Sequence, residues 1–140
     1  MEDIALGAHL LTLFYIFAVM LVADYVGFQW FRGTAPTLSL RSVQRLHTLM
    51  WIGLVSMVMT GSFLFWPERQ YLLTLPAFWI KMGFVFSLLI NAFFIERLMH
   101  IATVQTFASL TRNEKILFGI SGAVSLCAWI GAGISATFLF

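Results

Sequence analysis

The fold class follows from one stretch, Ile4–Phe31, which reads IALGAHLLTLFYIFAVMLVADYVGFQWF. His9, Asp24 and Gln29 are the polar residues that interrupt it. A helix needs about 20 mostly apolar residues to cross the hydrocarbon core of a bilayer, so a helix of this length must tilt or project beyond it. A core helix of a soluble protein would carry a polar face with a period of 3.6 residues, and this stretch has none. The stretch therefore predicts a helix surrounded by lipid.

Three further apolar runs follow, at Leu46–Trp66, Phe78–Ile95 and Ile116–Phe140. Glycine and proline interrupt the chain after the first two runs, and such residues are typical of turns. Because short links make successive helices antiparallel, we predict an all-α integral membrane protein, a four-helix up-down bundle. The chain, residues 1–140, would form a single transmembrane domain. Its helices are expected near residues 4–32, 44–66, 77–101 and 114–139.

The composition supports this fold class. Of the 140 residues, 61% are hydrophobic and only 10% are charged, whereas a soluble domain is about half apolar and about a quarter charged. The net charge of +2 comes from eight basic residues scattered between apolar runs, which excludes a nucleic-acid partner and leaves the lipid bilayer. The single cysteine, Cys127, excludes an intramolecular disulfide and a thiolate metal cluster.

The basic residues predict the orientation. Six of them lie in two of the links, Arg32, Arg41 and Arg45 in the first and Arg97, Arg112 and Lys115 in the third. The positive-inside rule places both links in the cytoplasm and both termini on the outer side. We therefore expect a multi-pass protein of the bacterial cytoplasmic (inner) membrane, with Trp66 and Trp79 in an outer aromatic belt and Trp30 in an inner one.

The fourth run also contains small residues at helical spacing. They include Gly119, Gly122, Gly131 and Gly133. Small residues let helices approach closely in a bilayer, so we expect close helix packing here. Other membrane subunits or a homo-oligomer remain open as partners.

Two polar side chains lie at membrane depth, where such groups are functional candidates. Asp24 lies about 12 Å inside the cytoplasmic boundary and Asn91 about 9 Å inside it, from the helical rise. We expect Asp24 to face the interior of the bundle, with Asn91 or His47 as its partner. An interhelical clamp and a transporter or proton relay that uses Asp24 are both open.

The three histidines are candidate haem ligands. One iron takes two axial ligands on opposite faces, and His9 lies in the outer part of the first helix, too far from the other two histidines to share one. His47 and His100, both at the cytoplasmic edge, form the only possible bis-histidine pair. Met59 or Met82 lies at the right depth to complete a His9 site. The alternative for each histidine is a packing or interfacial role.

Lys81 is a candidate anion ligand. It lies just past Trp79 at the outer end of the third helix. Its ammonium either reaches the headgroups or holds a carboxylate or propionate near His9.

The chain resembles a group of small bacterial four-helix membrane proteins in two segments, from Arg45-Leu46-His47 through Thr60-Gly61 and at Phe78-Trp79-Ile80-Lys81. The group comprises copper-resistance-D-like membrane domains, an uncharacterised family of similar length, and the J-type protoporphyrinogen oxidases. Asn113-Glu114 is similar to an Asn-Glu pair that precedes the fourth helix of the oxidases. The resemblance implies a b-type haem near His9, with His9 as the metal ligand, and an anion bound by Lys81.

Three functions follow as hypotheses. The first is a small haem-b-binding redox module or subunit, and the second is a non-enzymatic accessory subunit of a larger membrane complex. The third is a small transporter or proton-relay protein that uses Asp24. The sequence contains no P-loop, G-x-S-x-G or H-E-x-x-H motif, so it offers no support for phosphate-binding or hydrolytic chemistry. Whether the protein is an enzyme is left open.

Overall fold

A computed structural model describes residues 2–139, with only the backbone of Glu2. Within this range the chain forms four α-helices and no strand: α1 (Glu2–Phe31), α2 (Leu40–Leu72), α3 (Pro76–Val104) and α4 (Arg112–Thr137). A short 3-10 turn, Phe107–Ser109, lies between α3 and α4. The all-α prediction is confirmed, and each of the four helices is long and apolar enough to cross a membrane.

Helix α2 is longer than predicted at both ends. It begins at Leu40 instead of residue 44, and it continues through Pro67 to Leu72, although Pro67 was expected to end it. A proline inside a helix removes one N–H donor and usually kinks or ends the helix, but the residues after Pro67 remain helical. The helix ends before Pro76 instead. Pro76 is the first residue of α3, where a missing N–H costs no helical hydrogen bond.

The ends of α1 and α4 have local causes. Gly33 adopts a φ of 75°, a left-handed conformation that glycine accommodates without strain. The N–H of Ala35 and the hydroxyl of Thr34 then both donate to the carbonyl of Gln29. At the start of α4, Thr111 and Glu114 form a capping box, which satisfies N–H groups that have no partner within the helix.

The described residues form two compact units, which we call unit 1 (residues 2–67 and 99–110) and unit 2 (residues 68–98 and 111–139). In unit 1, His9 lies beside Thr60 and Ile16 lies against Gly53. These pairs run in opposite directions along the two helices, so α1 and α2 are antiparallel. A Cβ added at Gly53 would lie 3.0 Å from Cγ1 of Ile16, which shows how closely that buried side chain approaches the backbone of α2.

The end of α3 completes unit 1. The N–H of Leu38 donates to the carbonyl of Ala102 at 2.9 Å. The indole N–H of Trp30 donates to the carbonyl of Gln105, also at 2.9 Å, and its ring meets Phe107 edge-on. Trp30 is only 3% exposed, so the expectation that it belongs to an interfacial belt was wrong. It is a core residue of unit 1.

Unit 2 contains a second antiparallel pair. Asn91 of α3 contacts Ser121 of α4, and Phe84 of α3 lies against Gly131. Both units leave large apolar side chains exposed, for example Phe14, Phe63 and Phe86. Such a surface is unusual for a monomer in water and suits helices that are surrounded by lipid.

Candidate functional site

The site with the clearest chemistry lies between α1 and α2, at His9 and Thr60. Nδ1 of the half-buried His9 is 2.9 Å from Oγ1 of Thr60. When the hydroxyl of Thr60 donates its proton to the carbonyl of Ser56, which is 2.8 Å away, the hydroxyl oxygen is an acceptor for a ring N–H of His9. In that arrangement the neutral imidazole has its proton on Nδ1 and its lone pair on Nε2.

Gly61 determines how closely the imidazole approaches α2. A Cβ added at Gly61 would lie 3.5 Å from Cε1 of His9, in ordinary van der Waals contact. The ring thus turns its Nδ1–Cε1 edge toward the Thr60-Gly61 turn of α2. The two contacts together fix the orientation of the ring.

The other residues predicted for a haem site near His9 are divided between the two units. Met59 belongs to unit 1 and is exposed. It precedes Thr60, so its side chain leaves α2 about 100° around the helix axis from that of Thr60. Lys81 and Met82 belong to unit 2, and their position beside His9 stays a prediction. Lys81 is half-buried, and its ammonium forms no hydrogen bond or ion pair with another of the residues that the structure describes.

The predicted bis-histidine pair receives less support. The indole N–H of Trp51 donates to Nε2 of His47 at 2.7 Å, so that nitrogen already uses its lone pair. Ligation of iron by the same nitrogen would require Trp51 to move. His100 is exposed near the end of α3.

Asp24 does not face the interior as we expected. It is exposed on α1, whereas Ile16, Met20 and Trp30 are buried. At 100° per residue, Asp24 lies to one side of the stripe that these buried residues form. Within residues 2–139 its carboxylate has no hydrogen bond or ion pair. Counting residues along the helix axis gives the depth of a side chain but not its direction around the helix, and it was the expected direction of Asp24 that was wrong.

Asn91 does form an interhelical clamp, but with a residue that the sequence analysis did not single out. Its amide nitrogen donates to the carbonyl of Ser121 at 3.0 Å, and the Ser121 hydroxyl donates to its Oδ1 at 2.8 Å. Ser121 and Thr60 share a recognisable signal. Each is a small hydroxyl residue within an apolar run, at the level of a polar side chain on the neighbouring helix.

Other kinds of metal site find no support in the described part of the chain. Across residues 2–139 no group of three or more His, Cys, Asp or Glu side chains is placed to hold a metal ion. Haem needs only one or two protein ligands, so this finding does not bear on the haem site predicted at His9, which stays a prediction. Asn113-Glu114, which contributed to the family resemblance, has a structural role here, since Glu114 caps α4. Comparison of the chain with protein-family models, with curated proteins and with solved structures gives no match.

Proposed function

We propose that this protein is a multi-pass protein of the bacterial cytoplasmic membrane that binds b-type haem through His9 and acts as a small redox module or subunit. The observation that carries the proposal is the hydrogen bond between Nδ1 of His9 and Oγ1 of Thr60. Histidines that bind metals usually donate their other ring N–H to an acceptor, which orients the ring and raises the basicity of the ligand nitrogen. Thr60 supplies such an acceptor.

The chemistry of the residues present fits this cofactor. His9 would hold the haem iron through a ring nitrogen, with Met59 or Met82 as the second ligand. Lys81 of unit 2 is half-buried and has no counter-ion in the part of the chain that the structure describes, which suits an anion ligand, and we propose a haem propionate as that anion. Bound haem would supply one-electron redox chemistry. The protein's own contribution is to hold the imidazole in one tautomer and one orientation.

The proposal includes an orientation in the membrane. Basic residues in the first and third links and in the adjoining helix ends favour the cytoplasmic side for both links, with both termini outside. His9 then lies in the outer half of α1, and the redox site would exchange electrons at the outer surface of the membrane.

The test is the absorption spectrum of purified protein reconstituted with haem. We expect a Soret band in the wild type and in His47→Ala, and none in His9→Ala. Thr60→Val should weaken haem binding by about 10- to 100-fold, the usual effect of losing such a supporting partner. Thr12→Val is the matched control, because the hydroxyl of Thr12 donates to Ala8 within α1.

Two results would overturn the proposal. Loss of the Soret band only in His47→Ala would move the site to the cytoplasmic edge. No haem absorbance in a folded wild type would remove the cofactor, and the accessory-subunit hypothesis would then lead.

A further inference from the structure

We propose that the first turns of α2 bind the phosphate headgroup of an anionic phospholipid. A shallow and open surface depression of about 370 Å³ lies there, which we call the groove, lined by Arg41, Gln44, Arg45, Thr48 and Leu49. The proposal rests on the membrane orientation proposed above and does not depend on haem.

The residues of the groove form one face of the helix. Their spacing of three, four, seven and eight residues from Arg41 matches the helical period. All five side chains are exposed. The two guanidinium groups stand one turn apart, and the side-chain amide of Gln44 lies on the same face.

The charge of this face is not neutralised within the described chain. No aspartate or glutamate occurs between Tyr25 and Pro67. Neither Arg41 nor Arg45 forms an ion pair or hydrogen bond with another residue in the range 2–139. Like charges four residues apart on a helix repel each other, so an anion between them would relieve that repulsion. Guanidinium groups suit phosphate because they donate two parallel hydrogen bonds to it.

Asp24 is the acidic residue that could compete for this position. It lies eight residues after Ile16, and Arg45 lies eight residues before Gly53, the residue that Ile16 contacts. Because α1 and α2 are antiparallel, Asp24 and Arg45 stand at about the same level. They form no ion pair, so the arginines of the groove remain available to an external anion.

The surface next to the groove favours a lipid over a free phosphate ion. Leu49 lies at the end of the polar side chains that line the groove. Beyond it, Ile52 and Val55 are exposed apolar residues on the same face of α2. A headgroup phosphate on the arginines would therefore place an acyl chain along this stripe. Anionic lipids at the cytoplasmic surface attract basic residues that lie beside a membrane helix.

The test is native mass spectrometry of the detergent-purified protein with added phosphatidylglycerol or phosphatidylcholine. We expect the wild type to retain one phosphatidylglycerol in preference to phosphatidylcholine. The double variant R41Q/R45Q should bind it roughly 30-fold more weakly, and R45Q alone roughly 5-fold more weakly, at the usual contribution of each basic residue. The matched control R97Q/R112Q removes the same charge from the other basic link and should bind like the wild type.

Three outcomes would overturn the proposal. An equal loss of binding in R97Q/R112Q would show general attraction to positive charge, with no site on α2. Equal retention of phosphatidylcholine would remove the role of the anionic headgroup. Displacement of the lipid by soluble glycerol phosphate would make the occupant a free phosphate compound. The measurement is made with and without haem, so a failure of haem binding can be distinguished from a failure of lipid binding. If the double variant does not fold, the single variant R45Q provides the result.

Discussion

Asn91 and Ser121 exchange two hydrogen bonds across the α3–α4 pair, one through the backbone carbonyl of Ser121 and one through its hydroxyl. Ser121 is buried. A polar group without a partner in an apolar environment is costly, and here each side chain satisfies the other. The pair therefore explains why an amide occurs in the middle of an apolar helix.

We expect Asn91→Ala to lower the free energy of unfolding by about 1–2 kcal/mol, the upper part of the range for such bonds between membrane helices. Ser121→Ala removes only the hydroxyl bond and should cost less. The measurement is reversible unfolding in detergent, arranged as a double-mutant cycle. Ser87→Ala is the control, because the Ser87 hydroxyl donates to Gly83 in its own helix. A coupling energy of zero between Asn91 and Ser121 would contradict the clamp.

Gly131 is needed where α4 meets α3, because a Cβ at this position would overlap the ring of Phe84. Gly131→Ala should destabilise the protein by about 1–3 kcal/mol, as overpacking usually does. Gly133→Ala is the matched control. Nothing lies within 4 Å of its added Cβ, so it should be neutral or slightly stabilising, since alanine is the better helix former.

A second substitution tests the cause of that loss. Phe84→Ala should remove the penalty of Gly131→Ala, because the obstructing ring is gone. If Gly131→Ala is as destabilising with alanine at position 84 as with phenylalanine, the contact does not explain the loss.

The number and approximate positions of the helices could be predicted because length and apolar content alone determine them. The limits of α2 could not. A proline inside a helix usually kinks or ends it, yet α2 continues through Pro67 to Leu72, and the apolar pattern, which stops at Trp66, gives no signal of this extension.

The directions of polar side chains were harder to predict than their depths. Counting along the axis placed Asp24 and Asn91 at similar depth, yet Asp24 is exposed and Asn91 pairs with Ser121. The face that each helix buries depends on close approaches such as Ile16 against Gly53. These close approaches are contacts between helices, and an apolar run without a polar face does not indicate which of its residues make them. His9 was found because an imidazole is rare in such a run, but its partner Thr60 was identified as a site residue only from the structure.

Trp30 anchors the link between α3 and α4 to α1. Trp30→Phe keeps most of the ring but loses the hydrogen bond to Gln105, so we expect a loss of about 1 kcal/mol and faster proteolysis of residues 105–111. Trp79→Phe removes a bond of the same type, to the carbonyl of Leu73, from an exposed indole and should leave cleavage of that link unchanged. Equal cleavage rates in Trp30→Phe and the wild type would contradict the anchoring role.

Substitutions of Thr111 test how the start of α4 is stabilised, at the point where the chain passes from unit 1 to unit 2. Its hydroxyl accepts from the N–H of Glu114, and the Glu114 carboxylate accepts from the N–H of Thr111. Thr111→Ala removes the first bond and leaves a helical N–H without its partner, which typically costs about 1 kcal/mol. Thr111→Ser keeps the hydroxyl and should retain the stability of the wild type. The measurement is thermal unfolding in detergent, combined with amide hydrogen exchange at residues 112–115. Exchange there should accelerate in Thr111→Ala alone, and equal acceleration in Thr111→Ser would show that the methyl group, and not the capping hydroxyl, stabilises this end of the helix.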